Sequence, residues 1–169
     1  MKIFFIIIIS ILSLSTNAQI ESEKNLYWAL STGYLTGFAA NSPSVQLEGG
    51  IELGQHLQLG LITGAENVWG GWHIPILVRS KLNLLKQKNT PFLDTKLGYL
   101  ASLRKPKTGG AFTWGGSLGY HYGLFKKVGL EASVGYRLEY AANEDGLFMS
   151  CANFNQINRF DLRFAITFK

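Results

Sequence analysis

The sequence has little of what stabilises small exported soluble domains. Cys151 is the one cysteine among 169 residues, so an internal disulfide is excluded, although small secreted domains commonly depend on disulfides. Charged residues make up only 16% of the chain, and there are 4 prolines. After Leu14 no run approaches the roughly 18 apolar residues of a membrane-spanning helix. The chain is instead rich in glycine, with 19 residues, and in aromatic residues, at 13%.

The first residues have the composition of an export signal. A lysine at the second position precedes an apolar run that ends at Leu14, and small residues follow at Thr16 and Ala18. A short positive start, an apolar core too short to span comfortably and a small-residue site are typical of a secretory signal peptide. We therefore predict a cleaved signal peptide at residues 1–18 and one exported domain at residues 19–169. The alternative is an N-terminal membrane anchor.

Strict alternation of apolar and polar side chains is the main pattern of the remaining chain. Because strand side chains project alternately to opposite faces, each such segment predicts a strand with one apolar and one polar face. The predicted strands are 26–38, 44–53, 57–65, 72–84, 92–103, 111–124, 128–140 and a last strand that includes 160–168. Large apolar residues share one face, whereas glycine, serine and charged residues share the other. This repeat is typical of a transmembrane β-barrel, which turns apolar side chains to lipid.

The predicted connections alternate between tight turns and longer loops. Residues 54–56 and 126–127 form tight turns, whereas 66–71 and 104–110 are intermediate and 141–158 is long. The exception is 85–90, a lysine-rich turn of moderate length on the side of the tight turns. Outer-membrane barrels keep short turns on the periplasmic side and longer loops outside. The pattern therefore predicts that both termini face the periplasm.

The chain resembles the small outer-membrane β-barrel domain family of Gram-negative bacteria, which is similar in build to the eight-stranded transmembrane domain of OmpA. The resemblance covers essentially all of residues 19–169. The motifs that carry it are Ile74-Pro75-Ile76 leading into 79–84, Pro91-Phe92-Leu93-Asp94 running to Leu97-Gly98-Tyr99, Leu118-Gly119-Tyr120, and the strand 160–168. It implies an all-β fold: an eight-stranded antiparallel up-and-down transmembrane β-barrel in the outer membrane. It also implies contact with outer-membrane lipid, and with periplasmic chaperones and barrel-assembly machinery during biogenesis. We expect a monomeric, porin-like cell-surface protein.

Charges of both signs are predicted to share the polar face. The acids are Glu48, Glu52, Asp94, Glu131, Glu139 and Asp161, and the bases are Arg79, Lys81, Lys96, Arg137, Arg159 and Arg163. Unpaired charge is costly in a low-dielectric interior, so a balanced set predicts a network of salt bridges. An eight-stranded barrel is just wide enough for its side chains to fill. We therefore predict a plugged lumen without a wide pore, and a non-enzymatic structural or surface-interaction role.

Two other functions stay open at this point. A lipid A-modifying acyl hydrolase or acyltransferase would need a nucleophile, a base and an orienting acid, for which Ser117, His121, Glu131 and Ser133 are candidates. A secreted soluble barrel binding an apolar ligand would need the two faces inverted. The sequence shows no nucleic-acid-binding motif, no metal-ligand spacing and no cofactor motif.

The long connection 141–158 contains apolar residues that are unusual in a freely solvated loop. Long loops on rigid scaffolds often carry recognition, although such loops also pack on their own barrel. The candidate surface-interaction residues are Leu147, Phe148, Met149 and Phe154.

Overall fold

The computed structural model describes residues 25–37, 41–68, 71–103, 110–141 and 155–169. In these ranges the chain forms a closed barrel whose strands follow one another in sequence order. The strands are β1 (Asn25–Gly37), β2 (Ser42–Leu53), β3 (Leu57–Val68), β4 (Gly71–Asn83), β5 (Thr90–Ser102), β6 (Ala111–Gly123), β7 (Val128–Ala141) and β8 (Asn155–Phe168). The predicted eight-stranded antiparallel barrel is confirmed. No helix in the described part of the chain is long and apolar enough to cross a membrane.

The barrel closes because β1 pairs with both of its neighbours. Leu30 lies opposite Leu47 of β2 on one side and opposite Ile166 of β8 on the other. All eight pairings are antiparallel. Closure removes the free strand edges, so that the backbone hydrogen bonds of the strands are made within the sheet.

The outer surface of the barrel is apolar, and the inner surface is polar. Along β8, for example, Phe164 is 56% exposed whereas the neighbouring Arg163 is 6% exposed. The same alternation holds on every strand, with leucine, valine, tyrosine and tryptophan outside. This arrangement is the reverse of a soluble barrel, which would hide its apolar face. Arg163 and Asp161, which an inverted barrel would expose, are both buried.

Two strands extend by at least three residues beyond the predicted bounds. β3 continues to Val68, and β8 begins at Asn155, so residues 66–68 and 155–158 belong to the sheet and not to loops. In β3 the two-residue alternation runs on, because Glu66 is on the same face as Gln58 and both are buried. The prediction of a connection at 66–71 is therefore wrong for residues 66–68.

The strands define two ends of the barrel. The terminal end carries Asn25, Lys169 and the turns at 54–56, 84–89 and 124–127. Its first turn contains Gly54, whose φ of 69° lies in the left-handed region that favours glycine. The opposite end, here called the loop end, carries the other connections. The predicted signal peptide 1–18 and the loop residues Leu147, Phe148, Met149, Cys151 and Phe154 lie outside the described residues.

The apolar exterior predicts that an outward-facing charge lowers the free energy of unfolding more at the middle of a strand than at its end. Leu97 is half exposed at the middle of β5, opposite Val78 and Trp114. In phospholipid vesicles, Leu97→Arg should lower the free energy of unfolding by about 2–4 kcal/mol relative to Leu97→Ala, because it places a charge near the bilayer midplane. Urea titration of the refolded protein measures this difference.

Leu103, which is exposed beyond the end of β5, supplies the matched control. Leu103→Arg should cost about 0–1 kcal/mol relative to Leu103→Ala, because it lies near the interface. Equal costs at the two positions would contradict a lipid-facing exterior.

Candidate functional site

Buried charged side chains form three groups along the axis of the described barrel interior. The lower cluster, nearest the terminal end, consists of Glu48, Arg79, Lys81, Asp94 and Glu131. The middle cluster consists of Lys96, Asp161 and Arg163. The upper cluster, nearest the loop end, consists of Glu66, Arg137, Glu139 and Arg159. All of these side chains are buried.

Arg79 is at the centre of the lower cluster. Its Nη1 is 2.8 Å from Glu48 Oε2, and its Nη2 is 2.6 Å from Asp94 Oδ2 and 3.4 Å from Glu131 Oε2. The three carboxylates belong to β2, β5 and β7, so one guanidinium connects three other strands across the interior. Removing it would leave three buried acids without their shared cation.

Other side chains form hydrogen bonds or ion pairs with the same three carboxylates. Tyr27 Oη donates a hydrogen bond of 2.5 Å to Glu48 Oε1, and Ser117 Oγ donates one to Asp94. Glu131 pairs with Lys81 Nζ, and His121 Nδ1 is 3.1 Å from Glu131 Oε1. Buried polar groups are costly unless they are bonded, and in this cluster each carboxylate has at least two partners.

A buried aromatic ring also contacts the two cations of the lower cluster. Phe92 is fully buried, and its ring centroid is 4.5 Å from Lys81 Nζ and 5.6 Å from Arg79 Cζ. These distances are within the range of cation–π attraction. Phe92 lies two residues from Asp94 and therefore on the same face, but the local pattern does not predict its contact with the two cations.

The middle cluster is less tightly paired than the lower one. Arg163 Nη2 is 3.1 Å from both carboxylate oxygens of Asp161, and Arg163 Nη1 donates a hydrogen bond of 3.3 Å to Ser31 Oγ. Lys96 Nζ is 3.6 Å from Asp161 Oδ2. Two cations thus share one carboxylate.

The upper cluster is built on a bidentate ion pair. Arg137 donates hydrogen bonds of 3.0 and 2.5 Å to the two oxygens of Glu66, and one of 3.0 Å from its Nε to Glu139. Gln46 Nε2 also donates to Glu66. Arg159 Nε is 3.3 Å from Glu139 Oε2, and Arg159 Nη1 donates to Ser42 Oγ at 2.8 Å. Bidentate arginine–carboxylate pairs are among the strongest hydrogen-bonded contacts in proteins.

The set of charged residues buried in the interior differs from the predicted set at two positions. Glu66, which was assigned to a loop, is fully buried and pairs with Arg137. Glu52, which was assigned to the lumen network, lies at the terminal end and is 2.7 Å from Lys169 Nζ, a partly exposed group. Glu52 is the second-last residue of β2, so its side chain reaches the barrel mouth and not the sealed interior.

Little space remains between the clusters. A void of about 10 Å³ lies in the middle of the barrel, lined by residues that include Arg79, Lys96 and Arg163. This volume is about that of one water probe. At the loop end, Val68, Leu100 and Ala111 form a fully buried apolar contact above the charges. The charged clusters and this apolar contact thus lie one above another along the described interior.

The candidate catalytic residues are not assembled as a triad in the described structure. Ser117 Oγ donates its hydrogen bond to Asp94, and His121 Nδ1 contacts Glu131. Ser117 and His121 are four residues apart on the same strand, which separates their Cα atoms by about 13 Å at the strand rise. Ser133 is buried on β7, two residues beyond Glu131. Within the described ranges, no group of three or more potential metal ligands comes together.

Comparison with known proteins shows the fold. No protein-family model and no curated protein matches the sequence. The solved structure of Neisserial surface protein A superposes with a TM-score of 0.60 at 13% identity, covering 88% of this chain and 97% of that chain. The N-terminal β-barrel domain of OprF from Pseudomonas aeruginosa gives a TM-score of 0.54 at 11% identity, covering 86% of this chain and 100% of that chain. The chain therefore has the fold of small outer-membrane barrels.

The bidentate pair of the upper cluster predicts a large stability effect. Arg137→Met should lower the free energy of unfolding by about 3–5 kcal/mol, because Glu66 would remain buried without its cation and Glu139 would keep only its contact with Arg159. The double variant Arg137→Met/Glu66→Gln should recover part of this loss, since it removes one of the unpaired charges. Urea unfolding in vesicles measures both.

Lys127→Met, at an exposed turn position, is the matched control for losing a cation outside the interior. Its unfolding free energy should stay within about 0.5 kcal/mol of the parent value. A double variant no more stable than Arg137→Met would contradict the pairing described above.

Proposed function

We propose that the protein is a non-enzymatic outer-membrane β-barrel with a structural or surface-interaction role, whose lumen is plugged by paired charges and forms no wide pore. The observation that carries the proposal is the position of Arg79, whose guanidinium contacts carboxylates from three other strands in the centre of the barrel. A side chain in this position occupies the path that a solute would follow. It also links strands that are far apart in the sequence.

The outer surface supports a location in lipid. Large apolar side chains cover the outside of every strand, and among them Leu61 is 67% exposed and Ile76 is 59% exposed. An apolar surface of this extent is not expected on a soluble monomer. The chain shares its fold with small outer-membrane barrels, which supports a location in the outer membrane.

The balance of charge supports a closed interior. The described clusters contain six acids, Glu48, Glu66, Asp94, Glu131, Glu139 and Asp161, and six bases, Arg79, Lys81, Lys96, Arg137, Arg159 and Arg163. A pore that selects ions by charge would carry an excess of one sign along its wall. Here opposite charges neutralise each other within a few ångströms, and the contacts leave space for about one water between them.

A rigid, filled barrel leaves recognition to the parts outside the sheet. Long loops on rigid scaffolds commonly carry binding. We assign the surface-interaction role to the connection between β7 and β8, on the basis of the apolar residues that it contains. They are Leu147, Phe148, Met149 and Phe154.

Fractionation and conductance together test this proposal. In expressing cells the protein should fractionate with the outer membrane, and its gel mobility should change on boiling, because a closed barrel resists unfolding by detergent until it is heated. Purified protein in planar bilayers should give none of the conductance steps of a wide pore.

The variant Arg79→Ala/Asp94→Ala supplies the matched control, because it removes two opposite charges and opens space in the lower cluster. It should conduct more than the parent protein if these side chains obstruct the lumen. Recovery of the parent protein in the soluble fraction, or stable conductance steps before any substitution, would count against the proposal.

The lipid-modifying alternative makes a separate prediction. Ser117→Ala, His121→Ala and Ser133→Ala should each leave the acyl content of lipid A in expressing cells unchanged, since no described hydrogen bond joins either serine to the imidazole. Mass spectrometry of extracted lipid A measures this. A difference between cells with and without the protein that disappears in one of these variants would support the enzyme instead.

A further inference from the structure

An open cavity of about 390 Å³ lies at the terminal end of the barrel, between the three turns and the C-terminal residue. We call it the terminal vestibule. His121 lies at its inner side and contacts Glu131 of the lower cluster, so the charged interior forms its floor. The proposed function makes no use of this cavity.

Lysine dominates the charge of the terminal vestibule. Lys86, Lys88, Lys126, Lys127 and Lys169 line it, and within the described residues Glu52 is the one acidic side chain that does so. Lys169 is 2.7 Å from Glu52, which leaves the four turn lysines without a described ion pair. Concave surfaces that carry one sign of charge concentrate ions of the opposite sign. The vestibule therefore attracts anions.

The side chain of Lys88 lies across Gly123. A Cβ atom at Gly123 would lie 2.4 Å from both Cγ and Cε of Lys88, so the glycine provides the space in which this exposed side chain lies. The same glycine donates its backbone N–H to Asn89 Oδ1 at 3.1 Å, which ties the turn 84–89 to β6. Lys88 is thus brought next to the end of β6, at the mouth of the vestibule.

Amide side chains also line the terminal vestibule. Gln55 and Gln87 lie along its wall, and their amide N–H groups can donate hydrogen bonds to an anion. The vestibule therefore offers neutral donors beside its lysines.

We propose that the terminal vestibule binds a phosphate ester, of which glycerol phosphate is a simple form. Several phosphate oxygens can accept charge-assisted bonds from the turn lysines at once. The amides of Gln55 and Gln87 can donate to the remaining oxygens of the ester. Binding at this end does not require the lumen to be closed.

Two sources can supply this chemistry. One is the head group of phosphatidylglycerol in the adjacent membrane leaflet, and the other is a soluble glycerol phosphate. Phe125, which is 70% exposed and lines the cavity beside Lys126, lies where an acyl chain would leave the head group. Amphipathic turns with lysine next to aromatic residues are typical of contact with anionic lipid.

Titration of the refolded full chain tests the proposal and separates the two sources. In nanodiscs of phosphatidylcholine alone, sn-glycerol 1-phosphate is added and the amide shifts of Gly123 and Gly129, which line the vestibule, are followed by NMR. In nanodiscs that contain phosphatidylglycerol, native mass spectrometry counts the bound lipid. Saturable shifts in the first arm indicate the soluble source, and binding confined to the second arm indicates the lipid.

Lysine variants test whether the turn lysines of the vestibule bind the ligand. Lys126→Gln/Lys127→Gln should weaken binding by about 30-fold, at roughly fivefold per lysine. Lys105→Gln/Lys107→Gln, between β5 and β6 at the opposite end, is the matched control and should bind as the parent protein does.

Two results would overturn the inference. One is the absence of saturable binding in both arms by a parent protein whose heat-modifiable mobility shows that it has folded. The other is an equal loss of affinity in the control pair and in Lys126→Gln/Lys127→Gln, since that pattern indicates general attraction by the net charge of the protein.

Discussion

The pairing of β1 with β8 is the constraint on which the rest of the structure depends. Backbone groups at an open sheet edge could not be satisfied in lipid, so a sheet in the membrane must close. Closure at eight strands encloses an interior that side chains alone can fill. Every strand then has one side facing out and one side facing the interior, and the two-residue alternation of the sequence follows from that division.

The polar interior takes the place of an apolar core. Arg79 and Arg137 each contact carboxylates from more than one strand, which ties distant parts of the barrel together. Such pairs add little net stability compared with apolar packing, but breaking one is costly. The interior therefore penalises alternative strand registers, because a shift by one residue would turn its charges onto the apolar outer surface.

The two ends of the barrel differ in chemistry. Fully buried apolar residues, Val68, Leu100 and Ala111, lie near the loop end, whereas lysines surround an open cavity at the terminal end. The buried charged clusters lie between these two ends.

Alternation by itself determined the strands and the face on which each residue lies, because the strand period of two is a local property of the chain. It also placed eleven of the twelve predicted lumen charges in the buried interior; Glu52 lies at the mouth instead. The tertiary structure decided the partners: Arg137 with Glu66, Arg79 with three acids, and Phe92 beside two cations. These contacts join residues as far as 71 positions apart. Partner choice depends on strand register, closure and the height of each side chain along the barrel, and none of these is encoded in a local pattern.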